Sequence, residues 1–466
     1  MANLDRDQDT VFALATPSGH GGLAVLRISG THAVQIVRKN CRFLTDRPES
    51  HRVYYGYFRD QKDEILDEVL VSYFTKGRSF TGEETVEISC HGSPAVVSAL
   101  SEELVKSGCR LAAGGEFTYR AFMNGRIDLV QAESVLALVQ SRSKAAVRAA
   151  NRQLRGELSR SYEKIENDVT WILANMEAAI DFSTEDIAPY SAKEMLGVLE
   201  GCLEQTKKLI GSFERGRMLT DGFHVALIGR PNAGKSSLLN ALIQEDRAIV
   251  TDVPGTTRDT VEAVLVIDGV SVRFTDTAGL RDSEDKVEKI GIQKARQAST
   301  SADLIFYVLD LSLRADAEDI RFLSEVDMAR TVIVGNKQDI AGAAGMQDFI
   351  ESLSRLGLPL RQEFVACAVS AKTGQRVQGL LDVVREQVKK LLGEDSPVVL
   401  NARNVEKLEQ VRSALIRTHE LLCTDASPEL ISFELQCALQ AVNELLGKTF
   451  DDQVMDRVFR EFCIGK

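Results

Sequence analysis

Hydrophobic and polar positions change rhythm along the chain. Up to about residue 120, short apolar runs alternate with turns, and Val11–Ala15, Leu23–Ile28, Glu68–Phe74 and Val86–Ser89 read as strands. A helix is expected near Ala95–Val105, so this part is α+β. From Leu129 to Phe213, apolar residues recur at helical spacing through long spans without glycine or proline. The stretch is too long for one ordinary helix, so two or more long packed helices are expected. The texture returns after Val384, in Asn404–Cys423 and Leu430–Lys448. Between the helical blocks lie His224–Gly229, Ala263–Asp268, Ser271–Asp276, Leu304–Asp310, Thr331–Asn336 and Phe364–Val369, alternating with helical segments. Several are continuously apolar, as strands buried on both faces of a sheet are. An α/β unit between two helical blocks implies that the blocks pack together as one discontinuous domain.

Composition narrows the class. The 466 residues allow about three domains, and 44% hydrophobic with 27% charged residues is the balance of a soluble globular protein. A net charge of −12 argues against a broad basic nucleic-acid footprint, so any RNA would be met by a limited surface or through a partner. The eight cysteines form no C-x-x-C pair and the histidines are scattered, which indicates neither a local zinc motif nor a disulfide framework. The polar opening MANLDRDQDT is no signal peptide, and no apolar run approaches the roughly 20 residues that span a bilayer. A cytoplasmic protein without membrane insertion is expected.

Chemistry enters at Gly229. The strand His224–Gly229 runs into Gly-Arg-Pro-Asn-Ala-Gly-Lys-Ser and an apolar helix, the G-x-x-x-x-G-K-[ST] pattern in its strand–loop–helix setting. Glycines let backbone N–H groups turn toward phosphate oxygens, and the helix N-terminus adds a favourable dipole. Lys235 supplies a point charge for the β and γ phosphates, and the Ser236 hydroxyl suits Mg²⁺; Asn232, Ala233, Gly234 and Ser237 complete the loop. Downstream come Gly255-Thr256-Thr257-Arg258-Asp259, Asp276-Thr277-Ala278-Gly279, Asn336-Lys337-Gln338-Asp339 and Ser370-Ala371-Lys372, whose order resembles the five motifs of GTPases. Thr257 can offer its hydroxyl to Mg²⁺ and the γ phosphate, Asp276 can hold Mg²⁺ through water, and the Gly279 N–H can reach the γ phosphate. Asp339 can accept from guanine N1–H and N2–H, which adenine lacks, while Asn336 and Lys337 brace the base and the Ala371 N–H can donate to O6. This unit is expected to bind GTP rather than ATP. Leu280 stands where Ras-like proteins carry the water-positioning Gln, and an apolar side chain cannot orient water. Arg258 and Arg281 lie in the two switch segments, and the reading of solvated loop arginines stays open for them.

Outside these motifs, ATPSGHGGLAVLRISG, SFTGEETVEISCHG, GEFTYRAFMNGRIDLVQAES, IVTDVPGTTRD and the terminal FCIGK resemble the MnmE/TrmE family of tRNA-modifying GTPases, over essentially the whole chain. The resemblance implies a multidomain α/β plus α architecture. An α+β folate-binding and dimerisation domain spans 1–122, a discontinuous helical domain 123–218 and 386–466, and an inserted Ras-like P-loop G domain 219–385. It implies a homodimer that acts with a flavin-dependent partner protein on C5 of the wobble uridine of certain tRNAs. The product is a carboxymethylaminomethyl or aminomethyl group. The one-carbon unit comes from a tetrahydrofolate derivative, in 5-formyl or methylene form, and glycine or ammonium supplies the nitrogen. GTP hydrolysis is stimulated by K⁺ when G domains pair.

Residues carry over one by one. Arg27 of VLRISG, Glu87 of TVEISCHG and Lys466 match folate-contacting positions, and Arg126 falls where relatives carry Lys. Cys463 matches the near-terminal cysteine, as a reactive thiol or a small buried hydrophobe. K⁺ is implied beside Asn232, with backbone carbonyls around Thr251, Val253 and Thr256, in a loop that also holds Asp252 and Pro254. Glu288 matches the catalytic glutamate, beside the catalytic Lys235; a solvated carboxylate on an amphipathic helix is its other reading. The competing function, an RNA-binding GTPase switch in ribosome assembly, calls for an appended basic module that this acidic chain does not offer.

Overall fold

The computed structural model describes residues 9–181, 192–245, 261–276, 302–342, 345–355, 365–392, 397–424, 426–450, 452–460, 462 and 464–465. The chain forms two compact units: Met1–Gln140 with Ala150–Gly211 and Asn401–Lys466, and Ser141–Ala149 with Ser212–Leu400.

In the first unit, β1 (Val11–Leu14), β2 (Gly21–Ser29), β3 (Arg52–Arg59), β4 (Ile65–Phe74), β5 (Thr85–Gly92) and β6 (Arg110–Leu111) form one sheet in the order β3-β4-β5-β2-β1-β6. All neighbours are antiparallel except β1 and β6. Alternation decides the faces. Leu26, Ile28, Val71, Val86 and Ile88 point into a core shared with the helices Ala33–Asn40 and Pro94–Ser107. Val11 and Ala13 pack on the opposite face with Ala112 and Phe117, the latter from the helix Glu116–Met123. The four expected strands are present as β1, β2, β4 and β5. β3 escaped the sequence pattern because this edge strand exposes Val53, Tyr55 and Tyr57, which erases the polar side of its alternation.

The same unit holds the long helices. Leu129–Gln140, Glu157–Asp181 and Ala192–Gly211 precede the α/β segment, and Ala402–Cys423, Pro428–Leu446 and Asp452–Arg460 follow it. Pro428–Leu446 packs on Glu157–Asp181, and Ala402–Cys423 packs on both Pro428–Leu446 and Ala192–Gly211. The buried Glu133 joins the two blocks: Arg403 Nε donates to Oε1 at 2.8 Å and Asn404 Nδ2 to Oε2 at 3.2 Å. Burial pushes the Glu133 carboxyl above its ordinary range, against the pull of Arg403 and Asn404.

In the second unit, β7 (Phe223–Ile228), β8 (Val261–Ile267), β9 (Val270–Asp276), β10 (Leu304–Asp310), β11 (Thr331–Asn336) and β12 (Val365–Ala368) follow the order β12-β11-β10-β7-β9-β8. All neighbours are parallel except β8 and β9, joined by the two-residue turn Asp268-Gly269, both at positive φ (49° and 81°). All six expected strands are present. The helix Val377–Leu392 continues through residue 385, where the end of the G domain is drawn above, and its Val384 and Val388 share a core with Val225 and Phe274. Among the described residues, no helix is long and apolar enough to cross a membrane.

Candidate functional site

β7 ends at Ile228, and the chain turns through Gly229 into the helix Lys235–Glu245. Gly229 has φ 148°, and a Cβ there would lie 2.0 Å from the Val308 carbonyl oxygen, so only glycine fits. At Gly234 (φ 90°) a Cβ would lie 2.2 Å from Asn336 Nδ2, which joins the phosphate-type loop to the base-type motif. Asn232 takes the left-handed region at φ 61° and is exposed. Lys235 is buried and donates from Nζ to the carbonyls of Gly229 at 2.8 Å and Arg230 at 2.7 Å. Burial holds its pKa below the ordinary lysine value, with Asp276 opposing. Asp276, at the end of β9, accepts from Ser236 Oγ at 2.6 Å. Two hard oxygen donors so close on adjoining elements suit Mg²⁺. Ser237 is exposed on the first turn of the helix, and Ala233 is buried.

Asn336 closes β11. Its Nδ2 donates to the Ala233 carbonyl at 2.9 Å, and its Oδ1 accepts from the backbone N–H of Lys337 (2.8 Å) and of Ala371 (3.0 Å). The asparagine thus ties three loops together, and the Ala371 N–H that sequence assigned to guanine O6 here points at Asn336. Lys337 has φ 63° and its Nζ is 2.5 Å from Asp310 Oδ2. Burial would raise the Asp310 pKa, but Lys337 and Ser312 outweigh it and hold it low. The exposed Asp339 accepts from the buried Ser370 Oγ through Oδ1 at 2.7 Å, and no described residue bonds to its Oδ2. Lys372 is exposed. The structure therefore brings together the described members of the nucleotide motifs, and adds Asp310, whose acidic strand end carried no motif. Thr251, Asp252, Val253, Pro254, Gly255, Thr256, Thr257, Arg258, Thr277, Ala278, Gly279, Leu280, Arg281 and Glu288 lie outside the described residues.

In the first unit, Arg27 on β2 and Glu87 on β5 are register partners, and Arg27 Nε donates to Glu87 Oε1 at 2.9 Å. Arg27 Cζ lies over the rings of Phe80 and Phe117, 5.6 Å from each centroid. Neither phenylalanine was singled out in the sequence, where a lone aromatic looks like core. Gly82 (φ 79°) presses on Arg126, and a Cβ there would lie 3.0 Å from its Cγ. Arg126 also lines a cavity of about 450 Å³ with Phe122, Ile127, Asp128, Gln131 and Phe450. The C-terminal segment lies against the end of β1: at Gly465 (φ 96°) a Cβ would lie 2.2 Å from the Leu14 carbonyl oxygen, while Phe462 is buried with Phe459 and Leu129. Cys463 and Lys466 lie outside the described residues.

Two family models match. "GTP-binding protein TrmE N-terminus" covers residues 10–126, and "MnmE helical domain" covers residues 129–463. A tRNA modification GTPase MnmE of Bdellovibrio bacteriovorus is 45% identical, with 100% of this chain and 99% of the relative covered. One of Moorella thermoacetica is 40% identical, over 98% of this chain and 99% of the relative. Among solved structures, Era of Aquifex aeolicus is 25% identical with a TM-score of 0.29, covering 41% of this chain and 66% of that one. With its N-terminal domain, its helical domain and a P-loop G domain in one chain, the protein belongs to the MnmE family of tRNA modification GTPases, GTP hydrolases that act in tRNA modification.

Proposed function

We propose that this GTPase, with a flavin-dependent partner protein, modifies C5 of the wobble uridine of certain tRNAs to a carboxymethylaminomethyl or aminomethyl group. The one-carbon unit comes from a methylene-tetrahydrofolate bound at Arg27, Glu87, Arg126 and Lys466. The protein works as a homodimer in the cytoplasm. The observation that supports the folate site is convergence. The Arg27–Glu87 pair, the Gly82–Arg126 contact and the Gly465 segment come from distant parts of the sequence and gather in one unit.

In the G domain, Ser236, Asp276 and Thr257 would hold Mg²⁺, which neutralises phosphate charge when bound. Lys235 places its ammonium on the β and γ phosphates, exchanging carbonyl contacts for anionic ones, which restores the charge that burial disfavours. Asp339 accepts from guanine, and Ser370 holds it in place. Glu288 would orient the attacking water, and Asn232 with the backbone carbonyls around Thr251, Val253 and Thr256 would hold K⁺, which would offset charge on the β–γ bridge.

The experiment is a truncation after Cys463, since Phe462 belongs to the core and Gly465 to the proposed site. The shortened chain is expected to bind 5-formyltetrahydrofolate weakly and to leave wobble uridines unmodified by mass spectrometry, with GTP affinity retained. Full modification and unchanged folate affinity would overturn the assignment.

A further inference from the structure

Arg27 is held more closely than an arginine at a sheet surface requires. Its Nε is taken by Glu87, and its Cζ lies over two aromatic rings at 5.6 Å from each centroid. These contacts fix the plane of the guanidinium without using its terminal nitrogens. No described residue bonds to those nitrogens or to Glu87 Oε2, so a donor fork and a carboxylate oxygen are presented side by side.

The loop that carries Phe80 is tied down by its polar groups. Ser79 Oγ donates to the Glu83 carbonyl at 2.6 Å, and Thr81 Oγ1 lies 2.7 Å from Ser29 Oγ. Asn124 Nδ2 donates to the Thr81 carbonyl at 2.8 Å, and Glu83 takes Arg120 Nη1 at 3.2 Å and Ser29 Oγ at 2.8 Å. Phe80 is the large apolar side chain that this anchored loop leaves partly open, at 36% exposure. Phe117, by contrast, is fully buried in the small core with Val11 and Ala13 and meets the same guanidinium from there.

A fixed donor fork beside a carboxylate oxygen complements the edge of a 2-amino-4-oxo pyrimidine ring. The ring carbonyl accepts from the guanidinium, and the ring N–H and amino group donate to the carboxylate. Pterins and guanine share that edge. The Phe80 loop also sets Gly82 against the exposed Arg126, a cation suited to the carboxylates of a folate glutamate tail, for which a guanine nucleoside has no counterpart. We propose that Phe80, together with Phe117, is the positioning residue that holds Arg27 in the plane needed to select a pterin ring by its 2-amino-4-oxo edge. The proposal rests on the folate reading given above.

The test titrates 5-formyltetrahydrofolate into the full chain saturated with GDP. Phe80→Leu, which keeps apolar bulk and loses the ring, weakens binding about tenfold, and Phe80→Tyr stays within about twofold of the intact chain. In an Arg27→Lys background the Phe80→Leu effect shrinks below about twofold, because an ammonium has no plane to fix. Guanosine fails to displace the bound folate. Unchanged affinity in Phe80→Leu overturns the proposal, as does an equal loss in the Arg27→Lys background, which would make the ring a packing element of its loop. Displacement by guanosine overturns the pterin assignment. An intact chain that binds no 5-formyltetrahydrofolate overturns the folate reading itself, before any variant is made.

Discussion

Asp339 in the G domain and Glu87 in the N-terminal sheet are two carboxylates that, on the functions proposed above, meet the same kind of ring edge, yet they are held in unlike ways. Asp339 stands on the one-turn helix Gln338–Ala341 that follows β11 and is steadied by Ser370 from the loop after β12, at the carboxyl ends of parallel strands. The Gln338 N–H donates to the Val369 carbonyl at 3.0 Å, and Lys337 adopts positive φ to make the turn. Glu87 stands inside a strand, and its partner Arg27 is delivered by the register of an antiparallel ladder. The loop-built edge is adjustable one side chain at a time. The strand-built edge is all or nothing, because a one-residue slip of β2 against β5 would turn Arg27 toward the core face.

The sharpest way to break the comparison is to exchange an acceptor for a donor in one edge and watch the other. Asp339→Asn leaves guanine N–H groups unpaired, at a cost of about 1–3 kcal/mol. GTP affinity is expected to fall roughly 5- to 150-fold in nucleotide titrations, with xanthosine nucleotides gaining, and 5-formyltetrahydrofolate affinity should not move. A simultaneous folate loss would show that the edges are not independent. Glu87→Gln is the reciprocal change, with folate affinity falling about tenfold and GTP affinity constant. Ser370→Ala removes only the group that steadies Asp339, so a loss of about 0.5–1.5 kcal/mol in GTP binding is expected, smaller than for Asp339→Asn. Equal losses would mean that Ser370 itself touches the base.

The smallest effect concerns the support of the strand-built edge. Glu116 is buried, which alone would raise its pKa, but Arg110, the Ala113 N–H and Arg120 outweigh burial and hold it below the ordinary carboxylate value. A carboxylate depressed in the folded state contributes stability above its unfolded pKa, and the contribution fades as pH falls through the folded value. The N-terminal unit should therefore lose stability in acid below about pH 4.3. Glu116→Gln should be less stable at neutral pH and show a flatter acid limb in thermal melts. An unchanged acid limb would remove Glu116 from the account.

The contrast also explains what could be read in advance. The P-loop and the Asn336–Asp339 and Ser370–Lys372 motifs each compress their chemistry into a few consecutive residues, and the described members meet as their order implied. Arg27 and Glu87 are 60 residues apart and become neighbours only through register, so family resemblance alone pointed to them. Phe80 was invisible because a loop aromatic gives no periodic signal, and Asp310 because an acidic strand end is common. β3 was lost to its exposed tyrosines.

The Glu133–Arg403 pair spans 270 positions of the chain, with the whole α/β unit lying between them in sequence. During synthesis the first helices emerge with an acidic group whose cationic counterpart has not yet been translated. Their core can be sealed only after the ribosome has released the last segment. The interposed unit meanwhile can complete its own sheet, and by folding it shortens the slack that must be closed. Vectorial synthesis thus imposes an order on assembly: the inserted unit can mature early, and the helical core that encloses it in sequence must finish last.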